Sequence, residues 1–247
     1  MLKYIKNFKV SYSYPLEYPV KVVINHLGLL GLVGWISQKY GCNAVSKDFV
    51  ISERIIEVPT FHEWFGRIFP NPTSVSVLEI GHVASQVSLE LASLGADVTA
   101  IDLRQYPFKH PKLLSITGDF LTFDFQKTYD CIFSLSTIEH FGISERYGGN
   151  EDQEGNNLDD NAFEKIANLL NANGYAIITV PFAKSWISGI WFKVYTRDTI
   201  EKKLSRYFMI EEKRYYKRID NVWQPVSSLD DPISPHDGVA LFLLKKQ

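Results

Sequence analysis

The most constraining feature of the sequence is a βαβ pattern between residues 77 and 102. An apolar run leads into a turn at Gly81, a helical stretch ends at Gly95, and a second apolar run ends on Asp102. Parallel strands need such a crossover helix, so the pattern predicts an open, mostly parallel sheet. An acid that ends the second strand is the residue that binds a ribose in nucleotide-binding sheets. The pattern therefore predicts a nucleotide-type cofactor.

The turn after the first strand narrows the choice of cofactor. From Gly81 the chain continues His-Val-Ala-Ser-Gln, so only the first glycine of a Gly-x-Gly-x-x-Gly fingerprint is present. The other glycines would let the backbone approach a pyrophosphate closely, and their absence makes NAD the poorer candidate. A cofactor with an adenosine but no phosphates, such as S-adenosylmethionine, fits the pattern better.

Four motifs in chain order resemble those of the class I S-adenosylmethionine-dependent methyltransferases, in their small-molecule branch. Glu79 and Gly81 correspond to the glycine turn, Asp102 to the ribose acid, residues 118 to 120 (Gly-Asp-Phe) to the third motif, and residues 134 to 141 (Ser-Leu-Ser-Thr-Ile-Glu-His-Phe) to the fourth. Asp102 follows Glu79 by 23 positions, which is the distance that alternating strands and helices require.

The resemblance spans about residues 75 to 245 and implies both a fold and a cofactor site. The implied fold is α/β, a doubly wound, mostly parallel seven-stranded sheet with an antiparallel last strand and an N-terminal helical extension. The family's turn usually reads Glu/Asp-x-Gly-x-Gly-x-Gly, and this chain departs from it at Val83 and Ser85. The residues that we expect to bind S-adenosylmethionine are Glu79, Gly81, His82, Val83, Ser85, Asp102, Leu103, Asp119, Phe120, Ser134 and Leu135.

The expected roles follow from the side-chain chemistry. Asp102 would accept hydrogen bonds from both ribose hydroxyls, and its alternative role is that of a turn residue or helix cap. Asp119 would bind the adenine amino group with Phe120 packed on the ring, or form a simple Gly-Asp turn. Glu79 would hold the amides of the turn or the cofactor's amino group.

His140 and Glu139 are the candidate catalytic residues. Methyl transfer to a hydroxyl benefits from a base with a pKa near neutrality, and histidine is the usual choice. The alternatives are a structural or cofactor-orienting His140 and catalysis by proximity alone. The acidic stretch from 145 to 160 does not spell a calcium loop, so we predict no metal site and favour a solvated or acceptor-binding loop.

Apolar runs and chain breakers predict the order of the elements. Asn161 and Glu164 form the pattern of a capping box, and Asn173-Gly174 is typical of a helix end. The last two strands have no room for a crossover helix between them and are predicted to be antiparallel. Strands are predicted at 75–80, 97–102, 113–117, 129–135, 175–180, 208–216 and 239–245, and helices at 84–94, 161–171 and 197–205.

The Pro-rich turn after residue 68 predicts a boundary between an N-terminal extension, 1–70, and the cofactor-binding domain, 71–247. Within the extension, residues 52–65 mix charged and aromatic side chains. This composition is typical of a lid over a pocket or of an amphipathic helix at the sheet edge. A homodimer formed through the extension is a further candidate.

Composition limits the partners and the compartment. The formal net charge of −2 predicts no nucleic-acid binding. The apolar run from 22 to 36 is shorter than the roughly 20 residues that span a bilayer, so we predict no stable membrane insertion. Cys131 lies in an apolar strand and is predicted to be a buried, inert thiol. With two cysteines and no signal-peptide pattern, the sequence predicts a cytoplasmic protein.

Three functions agree with these patterns. The first is methyl transfer from S-adenosylmethionine to a small polar acceptor, expected at oxygen, for example on a sugar or glycan precursor. The second is a catalytically silent cofactor-binding or scaffold protein, because the glycine turn is eroded. The third is an NAD-dependent oxidoreductase. The missing glycines of the turn and the lack of a Tyr-x-x-x-Lys pair argue against this third function.

Overall fold

The computed structural model describes residues 52–83, 85–143, 158–184, 187–188, 192–226 and 237–247. The chain divides into two compact units, Met1–Ser52 and Glu53–Gln247. Almost all described residues belong to the second unit. The apolar run from 22 to 36 and most of the acidic stretch after residue 143 lie outside the described residues.

The elements of the second unit follow the predicted alternation. The helices are α1 (Arg54–Ile68), α2 (Val87–Ser93), a 3-10 turn (Ile138–His140), α3 (Leu158–Leu169) and α4 (Arg197–Leu204). The strands are β1 (Ser76–Ile80), β2 (Asp97–Asp102), β3 (Leu113–Thr117), β4 (Tyr129–Leu135), β5 (Leu170–Pro181), β6 (Ile187–Ser188), β7 (Lys193–Val194), β8 (Phe208–Ile219), β9 (Val222–Pro225) and β10 (Gly238–Lys246).

The central sheet has the strand order β3-β2-β1-β4-β5-β10-β8-β9. The strands β1 to β5 pair in parallel, whereas β10 runs antiparallel to both β5 and β8. The predicted α/β fold with a parallel sheet and an antiparallel end is therefore confirmed. Among the described residues the sheet has eight strands instead of seven, because β8 turns at Asp220 and Asn221 into the short strand β9. Both turn residues have positive φ, which Asp and Asn tolerate in tight hairpins.

The sheet is covered by apolar clusters on both faces. Alternate residues of a strand point to opposite faces, so neighbours such as Val77 and Leu78 belong to different clusters. The Leu78 cluster includes Phe163 of α3, and the Val77 cluster includes Trp64 of α1. Burial on both faces explains why β1, β2 and β4 are mostly apolar instead of alternating between apolar and polar residues.

Helix α1 lies on the face of the sheet. Phe61, Trp64 and Phe65 are buried, and the Phe61 ring centroid lies 4.4 Å from that of Phe133 in β4. The segment 52–65 therefore packs against a central strand through aromatic residues at helical spacing. The boundary at residue 70 and the lid role of the extension stay predictions.

Two local predictions were wrong. The helix α3 begins at Leu158, so Asn161 lies inside it and does not cap its start. The Asn173-Gly174 pair lies within β5, where Asn173 adopts a φ of 67° at an irregularity in the pairing with β4. Both residues suit a helix cap locally, but α3 begins three residues before Asn161, and the pairing of β5 with β4 places Asn173 within a strand. A capping box does begin α4, where Thr196 and Thr199 exchange side-chain and backbone hydrogen bonds.

Cys131 is fully buried in β4, and burial raises the pKa of its thiol, so the thiol stays protonated at neutral pH. The predicted burial of Cys131 is confirmed. Within the described ranges, none of the helices combines the length and apolar character needed to cross a bilayer.

Candidate functional site

The carboxyl ends of β1, β2, β3 and β4 meet at one edge of the sheet because these strands are parallel. The Gly81 amide donates a hydrogen bond of 2.8 Å to the Ile101 carbonyl, and the Gly118 amide donates one of 2.9 Å to the Asp102 carbonyl. The glycine turn, Asp102 and the third motif are therefore direct neighbours. Open α/β sheets bind their ligands at such an edge.

Gly81 brings the first and fourth motifs into contact. Its φ is +84°, a backbone conformation that residues other than glycine rarely adopt. A Cβ atom at this position would overlap the Thr137 side chain, which belongs to the fourth motif. Glycine is therefore required both by the backbone and by the close approach of Thr137.

His82 fills the space beneath the turn. Its side chain is fully buried, its Nε2 lies 2.8 Å from the Ser115 hydroxyl, and its ring centroid lies 4.6 Å from that of Tyr106. Burial lowers the pKa of His82, with Asp102 acting in the opposite sense. The imidazole is therefore held neutral, as a packing residue that supports the turn.

The residues that replace the family's later glycines have local partners. Val83 is buried, and its amide donates a hydrogen bond of 3.0 Å to Oδ2 of Asp102. The Ser85 hydroxyl accepts a hydrogen bond of 3.1 Å from the Val87 amide at the start of α2. Ser85 thus satisfies one free amide of that helix.

Asp102 ends β2 with its side chain 6% exposed, and both of its carboxylate oxygens have partners within the chain. The Arg104 guanidinium donates from Nε to Oδ1 (3.0 Å) and from Nη2 to Oδ2 (3.1 Å), and the Arg104 amide donates to Oδ1 (2.9 Å). The sequence reasoning did not identify Arg104. The sequence feature that could have indicated Arg104 is its position two residues after Asp102.

Glu79 lies behind the turn. It is buried in β1 and accepts a hydrogen bond from the Ser88 hydroxyl of α2. Burial raises the pKa of Glu79. In the described residues its partner is thus the helix α2, which it ties to β1.

The third motif forms a turn above the core. Oδ1 of Asp119 accepts a hydrogen bond of 2.8 Å from the Leu121 amide. Phe120 is 3% exposed and packs among Phe125 and Phe141, with the Lys165 ammonium 5.4 Å from its ring centroid. The Asp119 carboxylate is half-buried at the strand edge, whereas the Phe120 ring belongs to the core.

The remaining predicted cofactor residues differ in exposure. Leu103 is 39% exposed beside Asp102, whereas Ser134 and Leu135 are buried as the last two residues of β4. The Ser134 hydroxyl has no hydrogen-bond partner among the described residues. Only Leu103 of these three presents its side chain to the solvent side of the site.

Glu57 of α1 reaches the end of β4, and the sequence reasoning missed it. Its carboxylate accepts hydrogen bonds from the hydroxyls of Ser136 and Thr179 and lies 3.4 Å from the Arg54 guanidinium. Ser136 has a φ of +44°, and its amide donates to the Thr179 hydroxyl at 2.9 Å. The available signal was helical spacing, which puts Glu57 on the same buried face as Phe61.

Glu139 and His140 sit in the 3-10 turn directly after Thr137. Glu139 is 2% exposed, and its Oε2 has no hydrogen-bond partner among the described residues. Burial raises the pKa of Glu139 well above its usual range, and the nearby Glu57 raises it further. The His140 side chain is 21% exposed, with Nε2 3.8 Å from Glu139. His140 is thus the more accessible of the two for proton transfer.

A buried ionic cluster that the sequence reasoning missed lies on the other side of this turn. The Tyr195 hydroxyl donates a hydrogen bond of 2.9 Å to Asp159, whose carboxylate also lies 3.3 Å from the Lys193 ammonium and 3.2 Å from that of Lys203. Burial raises the pKa of Tyr195 well above its ordinary value. The cluster ties α3 to β7 and α4.

No group of three or more His, Cys, Asp or Glu side chains is arranged to hold a metal ion in the part of the chain described. The site is thus built from one glycine turn, one well-partnered acid and a loop that carries a buried acid and an accessible histidine.

Comparison with solved structures identifies the fold. The chain is similar to 1,6-didemethyltoxoflavin-N1-methyltransferase from Burkholderia thailandensis, with 12% identity, a TM-score of 0.54, and coverage of 90% of this chain and 89% of that chain. It is also similar to the N-methyltransferase NodS from Bradyrhizobium japonicum, with 15% identity, a TM-score of 0.51, and coverage of 76% and 86%. Magnesium protoporphyrin IX methyltransferase from Synechocystis matches with 14% identity, a TM-score of 0.50, and coverage of 77% and 78%.

These similarities show that the chain has the class I S-adenosylmethionine-dependent methyltransferase fold, and they confirm the predicted resemblance at the level of the fold. The toxoflavin enzyme and NodS were solved with S-adenosylhomocysteine, and the Synechocystis enzyme with S-adenosylmethionine. No protein-family model and no curated protein sequence matches the chain.

Proposed function

We propose that this protein is an S-adenosylmethionine-dependent methyltransferase that acts on a small polar acceptor, with oxygen as the methylated atom. The observation that carries the proposal is the Asp102 carboxylate, which ends β2 and lies 3.0 Å from the Val83 amide of the glycine turn. An acid at this place binds the hydroxyls of a ribose in open α/β sheets. The bound cofactor supplies an electrophilic methyl group.

The glycine turn supports a nucleoside over a dinucleotide. Gly81 is closed in by Thr137, and His82 and Val83 are buried where a pyrophosphate would need open backbone amides. Asp102 and Asp119 would hold the ribose and the adenine, with Leu103 covering them. These residues fit an adenosine, and they argue against NAD.

His140 is the proposed base. Its partly exposed imidazole stands in the loop that follows β4, beside the edge where the other motifs meet. It would take the proton of an acceptor hydroxyl as the oxygen is methylated. Burial disfavours the ionised form of Glu139, so we assign Glu139 the role of a neutral hydrogen-bond donor near His140.

The acceptor is proposed to be small. The toxoflavin enzyme and the Synechocystis enzyme are named for small-molecule acceptors, which supports that class here. Within the class of small-molecule acceptors, we propose a sugar or glycan precursor. The absence of nucleic-acid partners, a homodimer through the N-terminal extension and a cytoplasmic location stay predictions.

One observation favours the second candidate, a catalytically silent binding or scaffold protein. Asp102, which should receive the ribose, is already bonded to Val83 and Arg104. Because the Asp102 carboxylate already has hydrogen-bond donors within the chain, the site needs no ligand to be stable. A scaffold protein would not bind S-adenosylmethionine, whereas a silent binding protein would bind it and transfer no methyl group.

Calorimetric titration with S-adenosylmethionine and, separately, with NAD tests the proposal. Asp102→Ala removes the ribose acid, and Asp97→Ala is the matched control because Asp97 is an exposed acid of the same strand. Micromolar S-adenosylmethionine binding that Asp102→Ala abolishes and Asp97→Ala preserves is the expected result. Binding to neither cofactor would support the scaffold protein, and binding of NAD alone would contradict both candidates.

A further inference from the structure

The Asp102 carboxylate has a donor for each of its acceptor positions. A carboxylate offers about four lone-pair sites on its two oxygens. Oδ1 accepts from the amide and from Nε of Arg104, and Oδ2 accepts from the Val83 amide and from Nη2 of Arg104. Ribose hydroxyls can therefore reach this carboxylate only if one of the present donors leaves.

The donors differ in their ability to leave. The two amides belong to the backbone of the turn and of the strand end, where they are fixed by the fold. The Arg104 side chain is 42% exposed, whereas that of Asp102 is 6% exposed. A long arginine side chain can move its charged head into water at low cost, because its stem keeps many rotamers open.

The donor geometry of the Arg104 guanidinium resembles that of the ribose that would replace it. Nε and Nη2 donate in parallel to the two carboxylate oxygens, at 3.0 and 3.1 Å. The vicinal 2′ and 3′ hydroxyls of a ribose can also donate one hydrogen bond to each oxygen of a carboxylate, which is the same two-pronged (bidentate) contact. Resting on the proposed function, we propose that Arg104 is an internal substitute for the ribose, and that an adenosine-containing cofactor binds by exchange with its side chain.

This exchange explains why the acid is paired within the chain. A nearly buried carboxylate without a partner carries a large desolvation penalty. Arg104 removes that penalty when no cofactor is present, and the ribose removes it when the cofactor is bound. The pair therefore stabilises the empty site and lowers the apparent affinity for the cofactor by the fraction of time that Arg104 is bound.

The test compares ligands with and without the ribose hydroxyls. Adenosine, 2′,3′-dideoxyadenosine and S-adenosylmethionine are titrated calorimetrically into the full-length protein and into its Arg104→Ala and Arg104→Lys variants. Arg67→Ala is the control, because Arg67 is an exposed arginine that pairs with Glu212. Adenosine isolates the ribose end of the cofactor, since it has no methionine part.

We expect Arg104→Ala to bind adenosine and S-adenosylmethionine roughly five-fold more tightly, as loss of a partly exposed ion pair allows. Dideoxyadenosine, which lacks the hydroxyls, should show no gain. Arg104→Lys cannot form the two-pronged contact and should lie between the two proteins. Arg67→Ala should bind as the unmodified protein does. Without ligand, Arg104→Ala should also have the lower Tm, and adenosine should restore it.

Equal affinities of the unmodified protein and Arg104→Ala would overturn the exchange and leave the proposed function standing. Weaker binding by Arg104→Ala would also overturn it, because Arg104 would then be a direct contact of the cofactor. If no variant binds adenosine or S-adenosylmethionine, the proposed function fails together with the exchange. If Arg104→Ala does not fold, the Arg104→Lys comparison decides the same question.

Discussion

The Glu57 carboxylate accepts a hydrogen bond of 2.5 Å from the Ser136 hydroxyl across 79 positions of sequence. This contact joins α1 to the loop that carries Glu139 and His140. Ser136 adopts a left-handed backbone conformation, which is uncommon outside glycine and persists only when neighbours hold it. Helix α1 therefore holds in place the loop after β4 that carries Glu139 and His140.

We expect Glu57→Ala to lower the free energy of unfolding by about 3 kcal/mol, because it leaves the hydroxyls of the partly buried Ser136 and the buried Thr179 without their acceptor. Glu57→Gln keeps one oxygen for the hydroxyls and should lose less. Urea denaturation measures both. Glu63→Ala, on the exposed side of the same helix, should cost no more than about 1 kcal/mol. Equal losses at the two positions would contradict a specific role for Glu57.

Gly81→Ala should destabilise the protein by about 2 kcal/mol or more, since it combines a positive φ with overlap against Thr137. The double variant Gly81→Ala/Thr137→Ala should recover only part of the steric cost and keep the backbone part, because the Cβ atom of residue 137 would still lie 2.7 Å from the added Cβ. The control is Gly66→Ala in α1, where an added Cβ meets no atom within 4 Å. That change should leave stability the same or raise it by up to about 1 kcal/mol. A neutral Gly81→Ala would show that the turn can relax.

His140→Gln should reduce methyl transfer about 100-fold or more while leaving S-adenosylmethionine affinity unchanged, because a proton acceptor is lost and the cofactor contacts are kept. The assay follows labelled methyl groups into a panel of hydroxyl-bearing small molecules such as free sugars. His62→Gln serves as the control, since His62 is an exposed residue of α1 that pairs with Glu90. A transfer rate that His140→Gln leaves unchanged would indicate catalysis by proximity alone.

The sequence predicted the sheet where its signals are local. The runs that became β1, β2 and β4 are mostly apolar because both faces of the sheet are covered, and Asp102 marks the end of β2. The contacts of Glu57 and Arg104 could not be predicted in this way. The first depends on packing between distant segments, and the second on the rotamer of one long side chain.

The same distinction explains the errors at the helix ends. Asn161 and Asn173 carry cap-like patterns that only local sequence can suggest, whereas α3 begins three residues before Asn161 and the pairing of β5 with β4 places Asn173 within a strand. The extra strand β9 depends on a two-residue turn of Asp220 and Asn221, whose positive φ values an isolated sequence does not reveal.

The last prediction concerns acid stability, through the contacts between α1 and β8. Burial raises the pKa of Glu212, but hydrogen bonds from Arg67 and Arg214 outweigh it and lower the pKa from 4.5 to about 2. A carboxyl whose pKa is lowered on folding contributes stability that is complete above its unfolded pKa and is lost as the pH falls through the folded value. The contribution should therefore disappear between about pH 4.5 and pH 2.

Urea denaturation at several pH values between 2 and 6 measures this loss. Glu212→Gln should lower the free energy of unfolding by about 1 kcal/mol near pH 6, as for a partly exposed ion pair, and should flatten its decline towards pH 2. Part of the decline should persist, because the hydrogen bond from Arg214 also lowers the pKa of Glu63. Glu90→Gln controls for the removal of one negative charge from the surface. An unchanged slope in Glu212→Gln would place the acid sensitivity in other carboxyl groups.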